Sequence, residues 1–233
     1  MIMRAPLLVL MLALATFAHA DVVAADKDVD VALVLAVDVS GSVQPDEFDL
    51  ERNGIATAFS SPEIIEAIEH GALGRIAVSV VFFASPEETG AVVPWIVVSD
   101  AQSAEHFAWA VAAAQRSGNG NTSISSGMTL AAKMIANSPY RATRRIIDVS
   151  GDGANNADLL DSDHGNVDMM SAHALCTSLH ITVNGLAIVN EEPNIADYYR
   201  QYVTTGKGAF LIVASGVLDF ARAIRKKLVQ EIA

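Results

Sequence analysis

In DVALVLAVDVSGS, residues 30–42, seven consecutive apolar residues from Val31 to Val37 lie between Asp30 and Asp38. A run this short and Val-rich fits a strand buried on both faces, the kind found in parallel sheets. It stops at Asp38-Val39-Ser40-Gly41-Ser42, so one carboxylate and two hydroxyls fall within five residues at the carboxyl end of the strand. Open α/β sheets bind ligands at that end, and oxygen donors of this kind suit a hard cation such as Mg²⁺. Five residues carry too few ligands and too little charge to hold the ion alone, so the remaining donors are expected from other strand ends.

Downstream, Pro45 with Asp46 and Glu47 marks the first turn of a helix over 45–59. Ser60-Ser61-Pro62 interrupts it, and a second helical piece ends at His70-Gly71, with His70 read as a helix-end residue. Residues 75–84 form a second buried strand. Residues 91–98 form a third, with Pro94 inside it, which points to a sheet edge. The connection 85–90 is too short for a crossover helix, so these two strands pair antiparallel. A helix over 103–116 precedes the polar loop Gly118-Asn119-Gly120-Asn121-Thr122-Ser123, which runs into a helix over 124–137. The strand 146–150 then ends in Gly151-Asp152-Gly153, a third strand or loop end bearing oxygen donors. Helices over 167–179, 195–202 and 217–232 alternate with strands over 181–188 and 209–213. The alternation predicts an α/β, doubly wound, mostly parallel sheet with one antiparallel edge strand and helices on both faces, in one domain over 30–233.

The N-terminus has the form of an export signal over 1–20: Arg4, an apolar stretch from Pro6 to Phe17, and Ala18-His19-Ala20 as the cleavage site. The apolar stretch is too short to span a membrane, and no transmembrane anchor is expected after it. Residues 21–29 read as a linker, and the mature chain is expected in the periplasm or secreted. The formal charge is −12, and loss of Arg4 with the signal makes it −13, which excludes nucleic acid as a natural partner. The run Arg225-Lys226-Lys227 reads as positive charge near a helix C-terminus. Cys176 is the single cysteine, so no internal disulfide staples the fold. Its apolar flanks place it as a buried helical thiol.

The motifs Asp38-Val39-Ser40-Gly41-Ser42, Gly120-Asn121-Thr122 and Asp152-Gly153 resemble, in order and spacing, the three elements of the metal-ion-dependent adhesion site (MIDAS) of von Willebrand factor A (VWA) domains. The resemblance covers about residues 30–233, and with the signal it extends to an exported bacterial VWA-like family of uncharacterised function. It implies that Ser40, Ser42 and Thr122 bind the metal directly. Asp38 and Asp152 would act mainly through waters and by orienting the hydroxyls. The implied ion is Mg²⁺, with Mn²⁺ or Ca²⁺ as alternatives, and the implied partner is a protein presenting Asp or Glu as the missing ligand. One departure stands out: the third element reads Ser-Gly-Asp-Gly where Thr-Asp-Gly is more usual.

Helix capping by Asp38 and Ser40 explains one cluster but not three. A metal-dependent hydrolase or phosphatase with Asp38 at the strand end lacks a second acid two residues on, where Ser40 stands. No Walker A loop, Gly-rich dinucleotide turn or H-E-x-x-H spacing occurs. The acidic loop Asp158, Asp161, Asp163, His164 and Asp168 fails the EF-hand spacing and reads as a solvated loop beside the metal face, with a second calcium site or a partner-specific rim as the alternative. The function expected is a non-catalytic, divalent-cation-dependent, adhesion-type protein-binding domain. Its oligomeric state is left open.

Overall fold

The computed structural model describes residues 27–157, 164–190 and 192–233. The leader 1–20 and the acids Asp158, Asp161 and Asp163 lie outside the described residues. Six strands, β1 (Asp28–Asp38), β2 (Ile76–Phe83), β3 (Gly90–Val98), β4 (Arg141–Gly151), β5 (Thr182–Ile188) and β6 (Leu211–Ala214), form one sheet in the order β3-β2-β1-β4-β5-β6. All neighbours are parallel except β2 and β3, which is the antiparallel edge that the short 85–90 connection dictates. Pro94 explains how that edge is built. With no N–H to give the ladder, it sits in a bulge between the pairs Val78–Ile96 and Val80–Val93. The Ser79 hydroxyl donates to the Val93 carbonyl there at 2.6 Å.

β1 lies at the centre, and its alternation fills two cores. Val31, Leu33, Leu35 and Val37 face a cluster closed by α1 (Pro45–Phe59), α2 (Pro62–Glu69), α3 (Ala101–Ala112) and α7 (Phe220–Ile232). Val34 and Ala36 face the opposite cluster, closed by α4 (Ile124–Ala136), α5 (His164–Ser178), the short α6 (Ile195–Tyr198) and the π-helical turn Tyr199–Val203. A strand clamped between two helical layers has no solvated face, which is why it carries no polar residue between Asp30 and Asp38. It starts three residues before the apolar run, because Asp28 and Val29 already pair with Arg141 and Ala142 of β4.

One expectation fails. Arg225-Lys226-Lys227 does not stand as positive charge near the helix C-terminus, since the last turn of the helix holds no basic residue. Arg225 and Lys226 are exposed in the middle of α7, but Lys227 is fully buried. Its ammonium lies 2.6 Å from Asp148 Oδ1 on β4 and 2.6 Å from Glu231 Oε1 one helical turn on. Asp148 meets it as an ion pair, neither carboxylate oxygen being otherwise hydrogen-bonded. Asn184 of β5 donates to Glu231 Oε1 at 2.8 Å. A lysine on the inner face of a helix is tolerated only because two carboxylates wait beneath it. Burial, and then Asp148, push the Glu231 carboxyl up to about 8, against the lowering pull of Lys227. Cys176 is buried in the second core, as its flanks predicted.

Among the described residues no helix is long and apolar enough to cross a membrane.

Candidate functional site

The sheet order reverses between β1 and β4: the chain leaves β1 toward β2 on one side and returns to β4 on the other. That is the topological switch at which a crevice opens beyond the carboxyl ends of the strands. The register pairs Val37 of β1 with Ser150 of β4, so Asp38 and Asp152 leave the sheet side by side. The Thr122 loop folds over them. Gly41 N donates to the Gly120 carbonyl at 2.8 Å, and a Cβ on Gly41 would meet the Asn119 carbonyl oxygen at 3.0 Å. A side chain there would push the two loops apart by a few tenths of an ångström.

All five predicted residues come together. Asp38 is fully buried, and its Oδ1 accepts from Ser40 N at 2.8 Å. The hydroxyls form a chain: Thr122 Oγ1 donates to Ser40 Oγ at 2.9 Å, Ser40 Oγ lies 3.3 Å from Ser42 Oγ, and Ser42 Oγ donates to Asp152 Oδ1 at 3.0 Å. An octahedral ion with Mg–O bonds near 2.05 Å has adjacent ligand oxygens about 2.9 Å apart. The hydroxyls of Thr122, Ser40 and Ser42, hydrogen-bonded at 2.9 and 3.3 Å, have a spacing compatible with neighbouring corners of such a polyhedron, and Asp152 holds the last of them. Asp38 Oδ2 has no hydrogen-bond partner, and burial pushes the Asp38 carboxyl up to about 7, helped by nearby Asp152 and resisted by the Ser40 hydrogen bonds and by Arg116. A buried carboxylate short of partners beside three hydroxyls is a donor set that fits a hard divalent cation. Among the described residues no group of three or more His, Cys, Asp or Glu is placed to hold a metal, so the candidate rests on hydroxyl oxygens rather than on a soft or carboxylate-rich cage.

Several residues that build this site were not singled out from the sequence. Arg116 grips the back of the first motif, donating to the Val39 carbonyl at 2.9 and 3.1 Å, to the Ser40 carbonyl at 2.6 Å and to the Gly118 carbonyl at 2.9 Å. The Val39 carbonyl lies just past the end of β1 and needs such a donor. Glu88 Oε2 accepts from Gly120 N at 2.8 Å. Asn156 Oδ1 accepts from Thr122 N at 2.7 Å, and Asn155 Oδ1 from Ser125 N at 3.1 Å. The Asn155-Asn156 pair after Asp152 thus ties the second element to the third.

Glu51 of α1 is 3% exposed, with Oε2 unpartnered. Its carboxyl is held well above the usual range by burial first and then by Asp38 and Asp152. Its position was legible: it stands three residues after Phe48 and four before Ile55, on the buried stripe of the helix. The Ser-Gly-Asp-Gly departure also has a physical reason. A Cβ on Gly151 would lie 2.7 Å from Tyr199 Oη, 2.8 Å from Asp38 Oδ2 and 2.9 Å from Asp38 Cβ, so no larger residue fits before Asp152. Of the acidic loop, Asp168 is exposed on α5.

Such a sheet, with this switch point and these three loops, is the VWA-type α/β fold, and solved structures bear that out. The PilB minor pilin from Streptococcus sanguinis superposes with a TM-score of 0.62 at 14% identity, over 88% of this chain and 62% of that one. The vWF domain of the type V pili tip protein Mfa5 from Porphyromonas gingivalis gives 0.60 at 10% identity, over 88% and 95%. Proximal thread matrix protein 1 from the mussel byssus, in a structure with a zinc-occupied MIDAS motif, gives 0.59 at 13% identity, over 87% and 46%. The chain thus spans under half the length of the byssus protein. At these identities the likeness shows the fold. No curated protein matches the sequence. The chain belongs to the family described as "Protein of unknown function (DUF1194)", which matches residues 28–233.

Proposed function

We propose that this chain is an adhesion-type, non-catalytic domain that captures a protein partner through a divalent cation held by Asp38, Ser40, Ser42, Thr122 and Asp152. The observation that carries the reading is the row of oxygens Thr122 Oγ1, Ser40 Oγ, Ser42 Oγ and Asp152 Oδ1, from three separate strand and loop ends, at 2.9, 3.3 and 3.0 Å. Ser40, Ser42 and Thr122 would contact the ion. Asp38 and Asp152 would orient the hydroxyls and balance charge. Hydroxyl ligands give up little charge, so a bound Mg²⁺, or Mn²⁺ or Ca²⁺ in its place, would remain electrophilic enough to accept a carboxylate oxygen from outside. This explains how a chain of net charge −12 could recognise an Asp or Glu side chain. The zinc-occupied MIDAS of the byssus protein and the pilus proteins among the structural neighbours support the reading, as does an N-terminus of export-signal form, which fits a periplasmic or secreted site of action. The hydrolase alternative is disfavoured by the burial of Asp38: at 0% exposure, with Oδ1 engaged by Ser40 N, its carboxylate is closed to an incoming substrate.

Isothermal titration with Mg²⁺ and Mn²⁺ tests the site. Saturable binding by the wild type and none by Ser40→Ala/Ser42→Ala is the expected result, and equal binding by both would overturn it. Capture of an envelope protein in Mg²⁺ but not in EDTA would extend the result to the partner.

A further inference from the structure

Beside the Gly151 backbone two buried polar atoms have no hydrogen-bond partner. Asp38 Oδ2 is one, and the phenol oxygen of Tyr199 is the other. Both would touch the same Cβ, had Gly151 one, at 2.8 and 2.7 Å. They therefore converge on one point beside the Gly151 backbone, immediately before Asp152. Tyr199 opens the π-helical turn Tyr199–Val203 and is fully buried, its ring in the second core. Its neighbour Tyr198 already serves the site, accepting from Asn155 N at 3.2 Å. A ring packed this deep could have been phenylalanine. A hydroxyl in that position, without an acceptor, carries a desolvation cost that packing alone does not require.

A tyrosine phenol is neutral at physiological pH and has a proton to donate. Asp38 Oδ1 is already engaged by Ser40 N, which leaves Oδ2 as the oxygen that needs a donor. We propose that Tyr199 is a positioning residue for the cation site: when the site is loaded its phenol donates to Asp38 Oδ2 and fixes that carboxylate for the ion. The proposal rests on the cation site described above and names a residue outside its three motifs. It also accounts for Gly151, because the phenol oxygen and the carboxylate occupy the space that a side chain before Asp152 would need.

The test is Tyr199→Phe in the full chain, with Mg²⁺ and Mn²⁺ affinity measured by isothermal titration and thermal melting measured in EDTA. Groups that orient metal ligands typically change affinity by about 10- to 100-fold, and a loss of about tenfold or more is expected. In EDTA the variant should melt at or above the wild-type temperature, since an unpartnered buried hydroxyl has been removed. That combination, weaker cation binding in an equally stable protein, is one that a purely structural role would not produce. Unchanged affinity in Tyr199→Phe beside a wild type that binds would overturn this proposal and leave the site standing. A wild type that binds neither ion would overturn both.

Discussion

Ser42 Oγ donates to Asp152 Oδ1 at 3.0 Å across 110 positions of sequence. This contact joins the loop after β1 to the loop after β4 and closes the row of oxygens at the switch point. Ser42 is exposed on its other side, so it contributes little to stability and much to the geometry of the cleft. Ser42→Ala should weaken Mg²⁺ or Mn²⁺ binding by about tenfold or more while changing unfolding stability by less than about 1 kcal/mol. Titration calorimetry and urea denaturation read the two effects separately.

Gly151 and Gly153 flank Asp152 but differ in surroundings. A Cβ on Gly153 would meet only Thr122 Oγ1, at 3.5 Å, which is ordinary contact. A Cβ on Gly151 would collide with Tyr199 and Asp38. Gly151→Ala should therefore destabilise the fold by about 1–3 kcal/mol and impair cation binding, whereas Gly153→Ala should spare the fold. Melting curves of the two variants side by side would show the contrast.

Lys227 is worth more as a partner than as a charge. Lys227→Met leaves Asp148 and Glu231 buried against each other, and the loss should be about 3–5 kcal/mol by denaturant unfolding. Adding Asp148→Leu removes one of the stranded carboxylates and should recover part of that loss. No recovery would mean that the ion pair is not what makes Lys227 costly to replace.

Stability should fall toward alkaline pH. Glu231 is raised from 4.5 to about 8, and Asp38 from 3.8 to about 7. A folded-state pKa above the unfolded one means that the folded protein holds the extra proton within that window. The stability present at low pH is then lost as pH rises through it. In EDTA the protein should melt lower at about pH 8 than at about pH 5.5, and Glu231→Gln should shrink the difference, since its side chain no longer titrates.

The Cys176 thiol, buried in the second core, is pushed up to about 11 by desolvation. The thiolate is the reactive form. Cys176 should therefore resist an aromatic disulfide reagent in the native protein and react at once in denaturant, which an absorbance assay follows directly.

Much of the candidate site was legible from sequence because each motif is local. Asp38, Ser40 and Ser42 share one loop, and strand ends are marked wherever an apolar run meets Gly, Asp or Ser. The antiparallel edge was legible too, since a six-residue connection cannot hold a crossover. The misreading of Lys227 shows the limit of that logic. Within a basic run the residue gives no sign of burial, which Asp148 of β4 and Glu231 one helical turn on make possible. Glu51 sits on an apolar stripe where composition argues for the surface and periodicity for the core, and the structure sides with periodicity.

The sequence alone determined the class of the fold and the identity of the five oxygen-bearing residues, because alternation of strand and helix and the chemistry of strand ends are properties of short segments. Tertiary structure decided that those five residues meet, that Arg116, Asn155 and Asn156 brace them, and that Tyr199 and Gly151 share the space beside Asp38. These relations join residues tens to more than a hundred positions apart, and only the register between β1 and β4 and the packing of helices on both faces of the sheet bring them within hydrogen-bonding reach.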